Sequence, residues 1–217
     1  MSTYKPLAEK LRPSELNDFI GQRHLLGSDK PIGKALSDKQ LHSRILWGPS
    51  GVGKTTLARI ICAHMGAHFE QMSAVLDGIK ELRNVIKHAE LYKQNDTSTI
   101  LFVDEIHRFN KAQQDAFLPH IESGLITLIG ATTENPSFEI NSSVLSRVRV
   151  YILNKLSNKE LESIAMRAMT DQDITLVNDG SLSLIIDRSD GDARRLINII
   201  EQLTHKANHA LSKKDIV

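Results

Sequence analysis

One octet constrains this chain more than any other segment, because it combines glycines, a lysine and a threonine at fixed spacing. Residues 48–55 read Gly-Pro-Ser-Gly-Val-Gly-Lys-Thr, which fits the G-x-x-x-x-G-K-[ST] pattern of a phosphate-binding loop. The glycines allow a tight turn in which backbone N–H groups approach an anion. Lys54 adds a positive charge for the β- and γ-phosphates, and the Thr55 hydroxyl can bind Mg²⁺. An apolar run (45–47) precedes the octet and a helical pattern (56–63) follows it, so we predict a strand, a phosphate loop and a helix whose N-terminus faces the anion.

The composition is that of an ordinary globular protein. The 217 residues are 41% hydrophobic and 24% charged, with a formal net charge of +1. This balance gives no global attraction to nucleic acid or membrane, although a local basic face can exist. No stretch approaches the ~20 apolar residues of a membrane span, and no apolar run opens the chain. Cys62 is the only cysteine. A single cysteine excludes an internal disulfide and favours a reducing compartment, so we expect a cytoplasmic protein in which Cys62 is a buried hydrophobe.

Apolar runs alternate with helical patterns through the first two thirds of the chain. We predict strands over residues 45–47, 68–72, 99–103, 126–131 and 150–153, and helices over 54–65, 79–94 and 110–122. Continuous apolar runs are typical of strands buried on both faces of a parallel sheet. Strands that alternate with helices indicate a doubly wound α/β domain.

After the fifth strand the pattern becomes purely helical. Residues 157–160 have the spacing of a capping box that begins a helix, and a second helix is predicted over 179–189. Gly191-Asp192 opens a third, predicted to run to about 210, and 212–215 resembles the start of one more. We therefore predict a small helical domain after the α/β domain. The expected bounds are 1–154 for the α/β nucleotide-binding domain and 155–217 for the helical domain.

Two acidic residues follow the most hydrophobic predicted strand. Asp104 and Glu105 come directly after the apolar run 100–103. Ligands bind at the carboxyl ends of strands in open α/β sheets, so both carboxylates are expected at the ligand-binding edge. Neighbouring residues on an extended chain point in different directions. Asp104 can therefore serve Mg²⁺, directly or through water, while Glu105 activates the attacking water as general base. With the phosphate loop, this pattern predicts a Mg²⁺-dependent hydrolytic site.

Three further polar positions fit the same site. Thr133 lies in a polar stretch (130–135) that ends the fourth predicted strand, where a polar group would sit between the γ-phosphate and the water. Arg147 comes just before the fifth strand; taken alone, it is better explained as a solvated or salt-bridged side chain. Arg194 lies at a predicted helix start, where a cation opposes the helix dipole and an anionic ligand is one compensation.

These motifs, in this order, resemble those of the AAA+ ATPases, and within them the clamp-loader clade. Residues 48–55 are similar to Walker A and 100–105 to Walker B, and Thr133 has the place of sensor 1. Arg147 lies in a segment similar to the Ser-Arg-Cys arginine-finger motif, with valine in place of cysteine, and Arg194 in one similar to sensor 2. The resemblance implies an AAA+ fold: a parallel sheet flanked by helices, followed by a small helical lid.

Longer stretches narrow the resemblance to one branch. Segments 42–49, 104–111, 113–122 and 130–138 are each similar to the MgsA/RarA family, the bacterial replication-associated recombination proteins related to the Werner-helicase-interacting ATPase. Among them are Asp-Glu-Ile-His-Arg-Phe-Asn-Lys, which includes the two carboxylates, and Gly-Ala-Thr-Thr-Glu-Asn-Pro-Ser-Phe, which includes Thr133. The resemblance covers nearly the whole chain.

The resemblance implies a role for each candidate residue. The residues implied to flank adenine are Leu11, Arg12, Pro13, Ile20 and Gly21. Those implied to hold the phosphates are Gly48, Pro49, Ser50, Gly51, Val52, Gly53, Lys54, Thr55, Thr56 and Arg194. The implied metal ligands are Thr55 and Asp104, and the implied catalytic residues are Lys54, Glu105, Thr133, Arg147 and Arg194. In this superfamily the finger acts on a neighbouring subunit's nucleotide, so a solitary chain is expected to bind ATP yet hydrolyse it poorly.

The family also implies partners. It is associated with stalled replication forks, single-strand-binding protein and DNA ends, and its C-terminal helical region makes a tetramer. We therefore expect ATP and Mg²⁺ as ligands, a DNA fork or single-strand/duplex junction as substrate, a homo-oligomer, and a nucleoid-associated place in the bacterial cytoplasm. The chain is expected to end before the oligomerisation region. One set of basic residues is either a DNA-facing patch or a solvated face: Lys80, Arg83, Lys87, Arg108 and Lys111.

Four alternative functions stay open at this stage. A clamp-loader subunit and a branch-migration motor of the RuvB kind share the core motifs, although the Arg-Phe-Asn-Lys and Glu-Asn-Pro-Ser-Phe stretches favour MgsA/RarA. A nucleotide switch or scaffold that only binds ATP would not need Glu105. A kinase that uses the phosphate loop would need an acceptor-binding lid, and the sensor-like arginines fit hydrolysis better.

Overall fold

The computed structural model describes residues 4–204 and 210–216. Over these residues the strands are β1 (Arg44–Trp47), β2 (His68–Ser73), β3 (Thr99–Asp104), β4 (Ile126–Thr132) and β5 (Arg149–Ile152). The α-helices over the same ranges are α1 (Leu7–Lys10), α2 (Arg23–Leu26), α3 (Pro31–Ser37), α4 (Lys54–Met65), α5 (Ile79–Lys93), α6 (Lys111–Asp115), α7 (Leu118–Glu122), α8 (Pro136–Glu139), α9 (Ser142–Leu145), α10 (Asn158–Asp171), α11 (Ser181–Ser189), α12 (Ala193–Leu203) and α13 (Lys213–Ile216). Short 3₁₀ turns cover Leu16–Asp18 and Ile106–Arg108. Within the described ranges, no helix is both long and apolar enough to cross a membrane.

The five strands form one parallel sheet with the order β2-β3-β4-β1-β5. β4 therefore lies between β1 and β3, with Ala131 opposite Leu46 on one side and Gly130 opposite Val103 on the other. Parallel strands all end at the same edge, so the segments that follow β1, β4 and β3 leave the sheet next to one another. The α/β class is confirmed, and each predicted strand is confirmed to within one residue at either end.

The helices that accompany the sheet agree with the predictions at two places and differ at a third. α4 and α5 have the predicted bounds to within one residue. The single helix predicted over 110–122 is wrong, because α6 and α7 stand in its place. Pro119 explains the break, since it lacks an N–H and its ring would clash with the carbonyl of Asp115, the last residue of α6.

The first compact unit, here called the sheet unit, comprises residues 22–48 and 54–153. β3 is its most buried strand: residues 100–103 are fully shielded from solvent, as their continuous apolar run predicts. The core around β3 includes Leu82 and Val85 of α5, and Phe117 from the segment between α6 and α7. Packing on both faces therefore holds β3 in place, and it fixes the position from which the residues after β3 begin.

The second compact unit, here called the helical unit, comprises the residues up to Gly21, 49–53, and those from Asn154 onward. Its core packs Leu161 of α10, Ile185 of α11 and Leu196 of α12 with Leu7 of α1. The C-terminal part of the chain is thus helical, as predicted. The units are not continuous in sequence, and the domain boundary at 154/155 stays a prediction.

Capping residues begin the helices of the helical unit where the sequence indicates. The Ser157 hydroxyl accepts a hydrogen bond from the Glu160 N–H, so the predicted capping box is present at α10. Asp192 caps α12, whose predicted continuation to about 210 enters residues 205–209, outside the described residues. The predicted start of a last helix is confirmed at α13, where Asp215 accepts from the Ser212 N–H at 2.8 Å.

Candidate nucleotide site

The two ends of the phosphate-binding octet lie at the carboxyl edge of the sheet unit. Gly48 follows β1 directly, and its N–H donates to the Thr132 carbonyl at 3.1 Å. A Cβ at Gly48 would collide with the backbone of Leu153, so only glycine fits there. Lys54 begins α4, is 8% exposed, and donates from Nζ to the Gly48 carbonyl at 2.7 Å. A buried ammonium at the start of a helix is a strong anion-binding element.

The middle of the octet, residues 49–53, makes its hydrogen bonds within the helical unit. The Ser50 hydroxyl donates to Asp192 Oδ2 at 2.6 Å, and the Ala193 N–H donates to the Gly51 carbonyl at 3.2 Å. Asp192 Oδ1 also accepts from the Arg195 N–H at 2.9 Å, which caps α12. One carboxylate therefore joins the loop to the helix start. Gly51 has φ +65° and its Cβ position is filled by the Asp192 carboxylate, so a side chain there would be both strained and blocked.

The two carboxylates after β3 lie at the same edge of the sheet unit as Lys54, and a sharp turn separates them. Asp104 is the last residue of β3, and its carbonyl accepts from the Ala74 N–H at 3.0 Å. Glu105 adopts φ 51° and ψ 45°, the left-handed region that few residues other than glycine enter. This turn sends the Glu105 side chain away from the strand direction that Asp104 follows. The extended chain that the sequence analysis assumed through both residues therefore ends at Asp104, and the separate roles of the two carboxylates stay predictions.

A histidine completes the surroundings of Glu105. Thr133 follows β4, and its hydroxyl lies 3.5 Å from Glu105 Oε2. His107 Nδ1 lies 3.3 Å from the same oxygen and 2.9 Å from the Thr132 hydroxyl. The sequence alone assigns no role to His107, which lies inside a longer stretch similar to the MgsA/RarA family. Its position two residues after Glu105 is the one local signal that points to it.

Arg147 lies between α9 and β5 and is held by its own unit. Its Nε donates to Glu122 Oε1 at 2.5 Å, and its Nη1 donates to the Ser143 carbonyl and the Ser146 hydroxyl, each at 2.8 Å. The side chain is 38% exposed, so this ion pair is reachable from solvent. Arg147 therefore has an ordered, partly exposed position at the surface of the sheet unit.

The N-terminal segment expected near adenine belongs to the helical unit. Leu11 packs against the core of that unit, and Arg12 forms an ion pair with Glu9. A Cβ at Gly21 would come within 2.7 Å of the Leu156 side chain. Pro13 and Ile20 are half-buried, as is Gly21, whereas Arg194 is exposed. Contact of these residues with a nucleotide stays a prediction.

The candidate donors for a metal ion lie at two places in the sheet unit. In the part of the chain that the structure describes, no group of three or more His, Cys, Asp or Glu side chains could hold a metal by themselves. Thr55, near the start of α4, and Asp104, at the end of β3, supply one hydroxyl and one carboxylate, and both are half-buried. Mg²⁺ usually takes one or two protein oxygens and completes its shell with phosphates and water, so this small donor set fits it.

Comparison with known proteins agrees with the geometry. The model of the ATPase family associated with various cellular activities (AAA) matches residues 44–156. Replication-associated recombination protein A of Escherichia coli K12 is 51% identical over 213 residues, which are 95% of this chain and 47% of that protein. The protein of the same name from Coxiella burnetii is 52% identical over 90% of this chain and 46% of its own length.

Solved structures give the same answer for the fold. The Thermotoga maritima RuvB Holliday junction branch migration motor matches with a TM-score of 0.76 and 29% identity, over 95% of this chain and 70% of that one. The chain spans about half the length of the curated relatives it matches. The match over residues 44–156 and the identity to the curated relatives place this chain in the AAA ATPase family, as an AAA+ module homologous to the replication-associated recombination proteins A of the MgsA/RarA branch.

Proposed function

We propose that this chain binds ATP with Mg²⁺ and hydrolyses it, as the motor module of a protein that maintains replication forks and supports recombination. One observation carries the proposal: groups suited to three separate tasks lie at one edge of the sheet unit. They are the buried ammonium of Lys54, the carboxylate of Asp104, and Glu105 with Thr133 beside it. These are the groups that phosphate binding, metal binding and water activation require.

Each group has a separate task in the proposed reaction. Lys54 and the backbone of residues 48–56 hold the β- and γ-phosphates, while Thr55 and Asp104 hold Mg²⁺, which neutralises charge on the phosphate oxygens. Glu105 accepts a proton from the attacking water. The water oxygen bonds to the γ-phosphorus as the bond to the β–γ bridging oxygen breaks, which releases ADP and phosphate. Thr133 orients the water or the γ-phosphate.

The arginines supply charge to the transition state. Arg147 acts on the nucleotide of a neighbouring subunit, and an arginine finger contributes about 10³–10⁵ in rate. Its partial exposure supports this role, because the ion pair with Glu122 can exchange for a phosphate. Arg194 has the sensor 2 role, and Leu11, Arg12, Pro13, Ile20 and Gly21 flank adenine. A solitary chain therefore binds ATP but turns it over slowly.

Two substitutions test the site. We expect Lys54→Ala to abolish measurable ATP binding in calorimetry, since each lost bond to a charged group costs about 1.5–3 kcal/mol, or about 10- to 150-fold in affinity. Glu105→Gln should keep ATP affinity and lose phosphate release. EDTA should abolish phosphate release by the unaltered chain. Tight ATP binding by Lys54→Ala, or undiminished hydrolysis by Glu105→Gln, would refute the assignment.

Matched controls come from the same unit. Lys34 of α3 and Glu90 of α5 are exposed residues of the same types. Lys34→Ala and Glu90→Gln should leave both the Kd for ATP and the rate of phosphate release unchanged. The rate of phosphate release also distinguishes an ATPase from a scaffold that only binds nucleotide. In a scaffold, Glu105→Gln would leave that rate unchanged.

DNA is the proposed substrate of the assembled protein. The names of the relatives from Escherichia coli and Coxiella burnetii refer to replication and recombination. Further support comes from exposed cations: Lys80, Arg83 and Lys87 lie on α5, and Arg108 and Lys111 follow Glu105. Contacts with DNA phosphates make the affinity for DNA fall steeply as the salt concentration rises. Each lost contact should reduce the magnitude of the slope of log K against log salt concentration by about 1. We expect Arg83→Ala to lower that slope and Lys34→Ala to leave it unchanged; a salt-independent affinity would favour a solvated face.

The RuvB-like structure supports a second candidate, a branch-migration motor. The fold agrees well, but identity to the RuvB structure is 29%, against 51% to the Escherichia coli replication-associated recombination protein A. The recombination-protein assignment is therefore preferred. Further proposals for the whole protein are a homotetramer, contact with single-strand-binding protein, and a cytoplasmic, nucleoid-associated location. The molecular mass in solution, with and without ATP, tests the oligomer.

A further inference from the structure

One histidine lies where it can control the proposed catalytic glutamate. His107 is in the 3₁₀ turn that follows Glu105, and its side chain is 9% exposed. Its Nδ1 faces two oxygens, Thr132 Oγ1 at 2.9 Å and Glu105 Oε2 at 3.3 Å. The side chain therefore joins the end of β4 to the carboxylate that follows β3, and all three residues belong to the sheet unit.

The hydrogen-bond partners of Thr132 and Glu105 bear on which nitrogen of His107 carries a hydrogen. The Thr132 hydroxyl lies 3.2 Å from the Glu134 carbonyl and accepts from the Glu134 N–H at 3.0 Å. A hydroxyl has one hydrogen, and an ionised carboxylate has none. The Thr132 hydroxyl can give its one hydrogen to the Glu134 carbonyl or to His107 Nδ1, but an ionised Glu105 carboxylate can only accept. We place a hydrogen on Nδ1, because only then does the contact between Nδ1 and Glu105 Oε2 become a hydrogen bond. This N–H is then shared between the two oxygens.

We propose that His107 is a positioning residue for Glu105: its Nδ1–H holds Oε2 and ties the carboxylate to the end of β4. Because Thr132 directly precedes Thr133, the same link connects Glu105 to the residue in the sensor 1 position. The inference rests on the proposed role of Glu105 as general base and deepens it.

Glu105 needs such support because its own backbone gives little. The left-handed conformation at Glu105 places its side chain outside the regular strand, and its side chain makes no capping hydrogen bond to the turn that follows. A displacement of about 1 Å in a catalytic group can cost about 10²-fold in rate. Partners that hold a catalytic or metal-binding group typically contribute about 10- to 100-fold. His107→Ala should therefore lower turnover by a factor in this range without changing ATP affinity.

The kinetic experiment uses single-turnover phosphate release, with enzyme in excess over ATP, beside calorimetric ATP affinity. We expect His107→Ala to lose about 10- to 100-fold in rate at unchanged Kd. His107→Asn, whose amide N–H can stand in for Nδ1–H, should recover most of that loss, whereas His107→Gln, whose amide reaches the place of Nε2, should not. In a Glu105→Gln background, His107→Ala should cause no additional loss, because the two residues act as one unit.

The outcomes separate this inference from the proposed function. Full hydrolysis by Glu105→Gln would overturn the role of Glu105 itself. If Glu105→Gln loses hydrolysis while His107→Ala does not, or if the two losses multiply, the positioning role of His107 is wrong and that of Glu105 stands.

A spectroscopic measurement needs neither turnover nor a variant of His107. A long-range ¹H–¹⁵N spectrum of the imidazoles at pH 8 reports which ring nitrogen carries the hydrogen. We expect a hydrogen on Nδ1 of His107, with a chemical shift that moves in Glu105→Gln. An Nε2–H tautomer would overturn the inference even if His107→Ala fails to fold.

Discussion

Arg44 of β1 carries a charge although its side chain is almost fully buried, and replacing it should stabilise the protein. The residue is 1% exposed. Its Nε donates to the His42 carbonyl at 3.0 Å, and its guanidinium lies 5.9 Å from the Tyr151 ring centroid. Among the described residues, Nη1 has no hydrogen-bond partner. Burial lowers the pKa of Arg44 to about 10, so it remains charged at pH 7.

The magnitude follows from what Arg44→Met removes and keeps. Methionine keeps an unbranched apolar stem and removes a buried donor without a partner, which costs about 1–3 kcal/mol, together with the burial of a charge. The substitution loses one charge-assisted hydrogen bond, about 1.5–3 kcal/mol, and a cation–π contact of about 0.5–1 kcal/mol. The burial of a single charge costs several kcal/mol more, and the salt bridges of the described residues include no anionic partner for Arg44 that would offset it. We therefore expect a gain of about 1 kcal/mol in the free energy of unfolding at pH 7.5.

His42 adds a pH dependence with a definite sign. Burial first, and then Arg44 and Arg149, lower the pKa of His42 from 6.5 to about 4. The folded state therefore binds this proton less readily than the unfolded chain, and the stability that neutral His42 allows is lost as pH falls from 6.5 towards 4. Arg44→Met removes one repulsive charge and raises the pKa of His42, so the loss of stability on acidification should become smaller.

Urea unfolding followed by circular dichroism, at pH 7.5 and pH 5, measures both effects. Arg149→Met is the matched control, because Arg149 is the strand partner of Arg44 but is exposed. Its effect at pH 7.5 should stay within about 0.5 kcal/mol. If Arg44→Met loses more than about 1 kcal/mol at pH 7.5 with an unchanged m-value, the guanidinium contributes more than its burial costs and the reasoning fails.

Three further predictions concern the sheet unit. Gly130→Ala should lower the free energy of unfolding by about 1–3 kcal/mol in thermal or urea unfolding. The reason is that the added Cβ would lie 2.6 Å from the Ile45 side chain and 3.0 Å from that of Ile106. Unchanged stability would show that the surrounding core repacks without cost. Burial raises the pKa of the Cys62 thiol to about 11, so alkylation at pH 8, followed by mass spectrometry, should be far slower than in the urea-unfolded chain, and equal rates would contradict this. Arg147→Ala should leave ATP affinity nearly unchanged but lower turnover of the assembled protein by about 10³–10⁵, whereas an equal loss in an isolated monomer would place the finger in cis.

The strands could be predicted well because their signal is local. The run 100–103 is apolar at every position, and such a short continuous run is typical of a strand buried on both faces. The octet 48–55 was equally readable, since phosphate binding demands its residue types at fixed spacing. The single helix predicted over 110–122 was wrong because apolar periodicity takes no account of Pro119, whose missing N–H ends the first helix.

The short N-terminal helices escaped prediction for a different reason. α1 and α2 have four residues each, too few for a periodic pattern to appear. α1 is held by contacts with α12, nearly two hundred residues away in sequence; the Leu7 N–H, for example, donates to Glu201 at 2.8 Å. No local pattern reports a contact of that kind.

By itself, the sequence determined the chemistry available to this protein: a phosphate loop, two carboxylates after a buried strand, and arginines at two further motifs. Only the tertiary structure decided which of these groups have close partners. The strand order puts β4 between β1 and β3, and this brings Thr132 and Thr133 to His107 and Glu105. Tertiary structure also decided that the Ser50 hydroxyl donates a hydrogen bond to the Asp192 carboxylate, across a sequence separation of 142 residues. Such contacts depend on how distant segments pack, and the spacing of residues along the chain does not indicate them.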